Sequence, residues 1–421
     1  MSDPDQHRIN LLLSSPAFLP ARGGAELRFL RYLPGLQRRN LTCSIISGTP
    51  QLKKITADDK FSDWFTLKAG EILPMGTIGE VPVHKIRLPD KKSANRSSIY
   101  YRFLLSVCRD PKSRPNVLQL IADLPGNCLA FLEKMRTLGI PTLYAFTLPP
   151  KGSSNPIKRH WQRFQLRRNF NSIDCIITNS RTNRDQLVRL GVKSRVEVIL
   201  NGVELKNFYP AADETEKMTL RCRLACPPGG KIIVTVGAVH PRKGTDLLLQ
   251  AWPKIAREIP DAHLFLIGMR HDRNNPKLKK FGRSVEALVG SSGAADRIHF
   301  SGYVPNVAEY LKAADLFLFP SRIEGMPNAM LEAMACGVPV VTNPFIGFSP
   351  DLGRPDEHFV LADHHPEAIA KAAVDVLMDS RLQQRLSQNA RDWIVQTMDI
   401  EKTLDRYAAL YREMASIAPK G

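Results

Sequence analysis

The sequence predicts an α/β protein of two parallel-sheet domains, and three observations predict it. The chain has 421 residues, too many for one hydrophobic core, so it divides. Short apolar runs alternate with helical patterns, the order of elements that builds a parallel sheet. Residues 316–342, LFLFPSRIEGMPNAMLEAMACGVPVVT, contain one complete strand–loop–helix–strand unit. On these grounds the domains fall at 1–203 and 231–385, with a linker at 204–230 and terminal helices from 386 onward.

Composition narrows the class. Hydrophobic residues make up 43%, as in a globular protein. No apolar run approaches the roughly 18 residues that a membrane span needs. Residues 9–13 follow acidic positions and read as a first strand rather than a signal peptide. Seven cysteines are scattered without ligand-like spacing, which fits a reducing cytoplasm and argues against structural zinc. The net charge of +18 is uneven: residues 1–203 hold 32 Lys+Arg against 15 Asp+Glu, whereas 204–421 hold 27 against 26. A basic first half points to an anionic partner, whether nucleic acid, an acidic acceptor or an inner membrane surface.

In the first half, residues 9–13 form the opening strand, Gly23 and Gly24 the turn, and residues 25–39 a helix that Pro34 should kink or shorten. Paired glycines at a strand-to-helix turn let the backbone approach a ligand closely, or simply make the turn. Residues 81–87 read as a strand and 97–108 as a helix flanked by Arg96, Arg102, Arg109, Lys112 and Arg114. Residues 117–122, 141–146, 173–178 and 196–200 are further strands, with helices at 127–138 and 181–190. Between them lies a basic stretch, 151–170, where Trp161, Phe164 and Phe170 are interleaved with Lys158, Arg159, Arg163, Arg167 and Arg168. Such a stretch either lies in a membrane interface or keeps its aromatics in the core beneath a basic outer face.

The second half opens with a strand at 231–236, the loop GAVHPRKG at 237–244 and a helix at 245–257. Arg242 and Lys243 stand in that loop, where cations can neutralise a leaving diphosphate. Strands follow at 263–267, 297–300 and 316–319. Pro327 is suited to the first position of the next helix, Gly337 ends it, and a strand begins at 338. Helices close the chain at 366–378, 381–397 and 400–415.

The loop of the 316–342 unit sits where ligands bind in open α/β sheets. Glu324 precedes the helix and Glu332 lies within it. The amides of Met326, Asn328 and Ala329 at the helix start suit a phosphate. Carboxylates accept hydrogen bonds from sugar hydroxyls, so the pattern suits a nucleotide-sugar, with Glu332 on a ribose and Glu324 on the transferred sugar. The plain alternative is a surface helix with two solvated acids.

The pattern Glu324-x7-Glu332, within EGMPNAMLEAMACGVPVV, resembles the signature of retaining glycosyltransferase family 4, whose members have the two-domain GT-B fold. Further matches follow in order: RGGAE at 22–26, NGV at 201–203, PRKGTDLLLQAW at 241–252 and SGYVPNVAEYLKAAD at 301–315. The resemblance covers nearly the whole chain. It implies two Rossmann-like domains facing a cleft, the first holding the acceptor and the second the donor, with the C-terminal helices crossing back. It further implies that Gly23 and Gly24 lie over the donor phosphates, that Lys243 neutralises the leaving diphosphate, and that Val304, after Tyr303, meets the base. Gly325, Met326, Pro327, Asn328 and Ala329 would cradle the donor. The leaving phosphate itself would take the acceptor proton, so no side-chain nucleophile is required.

Two departures stand out. The family's upstream Arg is replaced by Ala238, leaving Arg242 as a substitute or as a solvated loop charge. Histidines that family members carry after the strands at 117–122 and 141–146 are absent. Gln119, Ile121, Asp123 and Thr147 stand there instead, and Asp123 either binds a substrate hydroxyl or caps the loop before Pro125.

The expectation is a sugar transfer from a nucleotide-diphosphate-sugar to a glycan or lipid-linked acceptor. No Asp-x-Asp metal motif is apparent at the strand ends, so no Mg²⁺, Mn²⁺ or other cofactor is expected. The protein would be cytoplasmic or peripheral on the inner membrane. One rival is a nucleic-acid-binding protein, favoured by charge but lacking a recognition helix, zinc finger or RNA-binding aromatic motif. Another is a partner-binding protein that keeps the fold without the activity.

Overall fold

In the computed structural model the chain forms two compact units, residues 1–199 with 401–421, and residues 200–400. The structure describes residues 9–16, 24–48, 70, 72–78, 80–89, 93, 95–121, 128–148, 155–227, 229–270 and 276–417. Gly23 and Asp123 lie outside the described residues.

The first unit runs β1 (Ile9–Ser15), α1 (Gly24–Gln37), β2 (Leu41–Gly48), β3 (Ile72–Ile78), β4 (Val81–Ile86), α2 (Arg96–Arg109), β5 (Val117–Ile121), α3 (Leu129–Thr137), β6 (Thr142–Phe146), α4 (Pro156–Phe170), β7 (Cys175–Thr178), α5 (Arg181–Leu190) and β8 (Arg195–Val198). Its sheet has the order β3-β4-β2-β1-β5-β6-β7-β8. The pairings are parallel, apart from the antiparallel hairpin β3–β4 at one edge. Pro34 lies inside α1, which continues to Gln37 despite it. Glu26 of the RGGAE stretch is buried and accepts a hydrogen bond from the Ser15 hydroxyl at 3.1 Å, so it ties α1 to the end of β1.

The second unit runs α6 (Glu214–Arg223), β9 (Lys231–Val236), α7 (Thr245–Glu258), β10 (Ala262–Ile267), α8 (Pro276–Gly290), β11 (Ile298–Gly302), α9 (Val307–Ala313), β12 (Leu316–Phe319), α10 (Asn328–Ala335), β13 (Val340–Thr342), β14 (Val360–Leu361), α11 (Pro366–Met378) and α12 (Ser380–Thr397). Its sheet, β11-β10-β9-β12-β13-β14, is parallel throughout. Ile232, Ile233, Val234 and the whole Leu316–Phe319 run are buried, as strands covered on both faces must be. The strand order reverses between β9 and β12. That reversal opens a crevice at their carboxyl ends.

The expected boundaries shift. Residues 204–230 are not a free linker, because α6 packs on α9 within the second unit. Residues 386–400 likewise stay in the second unit: Leu386, Ala390 and Ile394 of α12 repeat at helical spacing and are fully buried, feeding its cores. The crossing comes at Val203 and Met398–Ile400, joined by Val203 N–H to Met398 O at 2.7 Å and Ile400 N–H to Val203 O at 3.0 Å. Of the closing helices, α13 (Ile400–Ile417) alone belongs to the first unit, from Glu401 onward. There Tyr407 packs edge-on against Phe29, and Tyr411 donates to Gln119 Oε1 at 3.2 Å.

Candidate active site

The two loops at the reversal are those after β9 and β12. The first folds into a 3₁₀ turn, Pro241–Lys243, capped by His240 Nδ1 accepting from Arg242 N–H at 3.0 Å. Gly244 then takes φ +69, and a Cβ there would lie 1.8 Å from the Pro320 carbonyl oxygen. The close approach and the left-handed backbone both demand glycine, and they bring the two loops together.

Across that contact lies an ion cluster. Glu324 is 6% exposed; its Oε1 accepts from Lys243 Nζ at 2.7 Å and from the Ser321 hydroxyl at 2.7 Å. Its Oε2 accepts from Arg242 Nη1 at 3.0 Å, and the same nitrogen donates to the Ile323 carbonyl. Lys243 Nζ also stands 5.5 Å from the centre of the Phe319 ring. Two cations against one carboxylate leave the cluster net positive. Lys243 lines a small cavity at the end of β9 together with Gly237, Ala238, Thr245 and Phe319. Thus Glu324, Lys243 and Arg242, read separately from the sequence, come together at one point. Ala238 lines the same cavity as Lys243.

The loop is stitched on every side. Arg322 grips Asp246 at the start of α7 through two bonds of 2.7 and 2.9 Å, a bidentate pair. Glu324 N–H donates to Ile346 O at 3.0 Å, and Gly347, at φ +96, lies so close that a Cβ would sit 1.9 Å from the Glu324 carbonyl oxygen. Asn343 donates to Ser321 O at 3.0 Å and contacts His364 Nδ1 at 2.7 Å. Burial, then the Arg322 charge, holds the His364 pKa below its ordinary value. None of Ser321, Arg322, Asp246, Asn343 and His364 is a candidate from sequence. An Asp in the first turn of α7 is the one signal that was available.

The helix start differs from expectation. Helix α10 begins at Asn328, and Pro327 is its N-cap rather than its first residue, at φ −81 and ψ 79. The Asn328 amide is not open to a phosphate, because it donates to Met326 O at 3.0 Å, while Asn328 Oδ1 accepts from Asn201 Nδ2 at 2.6 Å. The NGV stretch therefore holds the beginning of α10. Glu332 is no solvated surface acid: it is 7% exposed, and burial together with its charge pushes the Cys336 thiol up to about 12. Gly325, Met326 and Ala329 occupy the loop and first turn between the two acids. Gly24 is the exposed first residue of α1. Val304 is half-buried after β11, beside Tyr303, which is 64% exposed.

A second cluster lies at the other end of β12. Asp315 accepts from Lys217 Nζ at 2.7 Å, Arg221 Nη2 at 2.5 Å and Ile232 N–H at 2.7 Å. Burial alone would raise its pKa, but Lys217 and Arg221 outweigh burial and hold it below 3.8.

Residues 217–393 match the family of glycosyl transferases group 1, and residues 22–207 match Glycosyltransferase Family 4. The lipopolysaccharide core biosynthesis mannosyltransferase LpsB of Rhizobium meliloti is 29% identical over 326 residues, 75% of this chain and 85% of that protein. Sucrose-phosphate synthase from Thermosynechococcus elongatus matches in structure with a TM-score of 0.77 and 20% identity, covering 97% of this chain and 100% of that one. Anabaena Alr3699/HepE, solved in complex with UDP and glucose, matches at 0.71 and 17% identity, covering 96% and 100%. Those two likenesses show the fold, GT-B. The matched segments together take in most of the sequence, and the chain belongs to glycosyltransferase family 4.

Proposed function

We propose that this glycosyltransferase moves a sugar from a nucleotide-diphosphate donor, with retention of configuration, onto a glycan or lipid-linked acceptor in polysaccharide or glycolipid synthesis. The observation that carries the reading is the net-positive cluster of Lys243, Arg242 and Glu324 at the strand reversal. In this reading Lys243 and Arg242 take up the charge that develops on the departing diphosphate, and Arg242 stands in for the Arg that Ala238 replaces. Glu324 aims both cations and accepts a hydroxyl of the transferred sugar. Glu332 accepts from the ribose, the segment Gly325–Met326–Pro327 with Ala329 lies along the phosphates, and Val304 meets the base.

Gly23, Gly24 and Asp123 follow β1 and β5, the strands that flank the reversal in the first unit, and we assign them to the phosphates and to the acceptor or donor hydroxyls. The leaving phosphate accepts the acceptor's proton. Two side-chain cations then do the work a metal would do, so chelation should leave the rate unchanged. All seven cysteines are unpaired, which supports a reducing, cytoplasmic setting. Among the described residues no helix is long and apolar enough to cross a membrane.

LpsB is named a mannosyltransferase and Alr3699/HepE was solved with UDP and glucose, so both GDP- and UDP-sugars belong in the test. UDP-, GDP- and ADP-sugars are screened for a rise in melting temperature, since a ligand of the native state stabilises by mass action. The best donor is then assayed for transfer, and the product's anomeric configuration is read by NMR. One nucleotide-sugar should stabilise, turn over and give the donor's own anomer. If none stabilises and none is hydrolysed, the chain is a binding protein on this fold.

A further inference from the structure

The first unit carries two helices rich in basic and aromatic residues, and they are built differently. Helix α2 buries Tyr100, Tyr101 and Phe103 at 4, 8 and 6% exposure. Among the described side chains of helix α4 the buried ones lie at its far end, where Phe170 packs against Tyr144 and Phe146. Its Ile157, Trp161 and Phe164 are 82, 59 and 50% exposed. These three recur at helical spacing and so share one face. The helix is firmly begun, with the Asn155 side chain accepting from the Ile157 and Lys158 amides at 3.0 and 3.1 Å. Lys158, Arg163, Arg167 and Arg168 are exposed around the stripe, the Arg167 guanidinium standing 5.8 Å from the Phe164 ring. The helix contains no Asp or Glu.

We infer that α4 docks the protein on an anionic lipid bilayer. A helix with an apolar stripe, a Trp and flanking cations lies in the plane of the interface, its apolar face among the upper acyl chains and its cations on the lipid phosphates. Three side chains are a small patch for a protein partner, which takes about 800 Å² on each side. They suffice for interfacial insertion when charge holds the helix at the surface, and residues 1–203, with 32 basic against 15 acidic residues, supply that charge. The inference does not depend on the transfer reaction.

The test is cosedimentation of the full chain with vesicles of phosphatidylcholine alone or mixed with phosphatidylglycerol, at low and high salt. Binding should require phosphatidylglycerol and weaken with salt, as screening demands. The Trp161→Ser/Phe164→Ser variant should bind about tenfold more weakly or worse. Arg163→Gln/Arg167→Gln should lose roughly fivefold per charge, both variants keeping the wild-type melting temperature. Brominated lipid should quench a fluorescence component that Trp161→Phe lacks. Equal binding to neutral vesicles, wild-type binding by the Trp161→Ser/Phe164→Ser variant, or failure of the wild type to sediment would overturn the inference. So would loss by that variant of single-stranded DNA binding with vesicle binding intact, because the patch would then read nucleic acid.

Discussion

Two carboxylates stand at opposite ends of β12 with the same kind of partners. Asp315, just before the strand, holds one Lys, one Arg and a backbone amide. Glu324, beyond it, holds one Lys, one Arg and a hydroxyl. They differ in what their cations do besides. Arg221 is enclosed, its side chain 7% exposed, and it also donates to the Ala313 and Gly230 carbonyls, so the Asp315 cluster clasps α6 to the sheet. Arg242 is 39% exposed at the strand reversal, where a ligand can reach it. The same ion-pair chemistry is structural at the amino end of a parallel sheet and available for catalysis at the carboxyl end.

The comparison can be broken by moving each carboxylate in turn. Asp315→Ala leaves the buried Arg221 and the half-buried Lys217 uncompensated and should cost about 3 kcal/mol, lowering the melting temperature by roughly 10 °C. Turnover per folded molecule, measured well below that temperature, should be unchanged; a turnover defect at unchanged stability would reverse the assignment of the two ends. Lys243→Ala should show the opposite pattern. It should lose about 10²–10³ in kcat, the size of one lost electrostatic stabiliser, with melting close to wild type. If calorimetry shows unfolding instead, Lys243 holds the loops rather than the diphosphate.

Acid sharpens the contrast. The folded pKa of Asp315 lies below 3.8, so its stabilisation is present above the unfolded value and is lost as pH falls through the folded one. The stability gap between wild type and Asp315→Ala should therefore stay constant at neutral pH and narrow in denaturant titrations carried below about pH 4. A gap that widens toward acid would contradict that sign. The smallest effect belongs to Glu332→Gln, which on the proposed ribose contact should raise the donor KM roughly tenfold at little cost in kcat. A fall in melting temperature with no change in KM would make Glu332 a packing residue.

Much of this was legible in the residues themselves. Elements β9, β12, α5 and α11 have the observed bounds because their apolar runs or periodic faces end at polar residues, glycine or proline. The second strand, LTCSIISG, mixes hydroxyls into the run and gives no clear period, although the sheet buries it. Helix α8 points Phe281, Val285, Leu288 and Val289 toward the core but carries Gly282 and four basic residues, which blur its pattern. In the site, Glu324 and Lys243 could be found from spacing and loop position. Ser321, Asn343 and the Arg322–Asp246 pair could not, since their value lies in contacts between segments far apart in sequence. The turn at Pro327 also redirected an amide that the helix pattern left free. Of the two basic aromatic stretches, residues 97–108 turned out to be core and 155–170 surface. Composition treats them alike; only packing separates them.

The most direct test of the central claim is Glu324→Gln, assayed side by side for transfer and for thermal unfolding with the donor identified in the screen. The account predicts that transfer falls by about 10²-fold or more while the protein remains folded, because Gln keeps the size but not the charge that aims Lys243 and Arg242. Full turnover by a folded Glu324→Gln protein would contradict it.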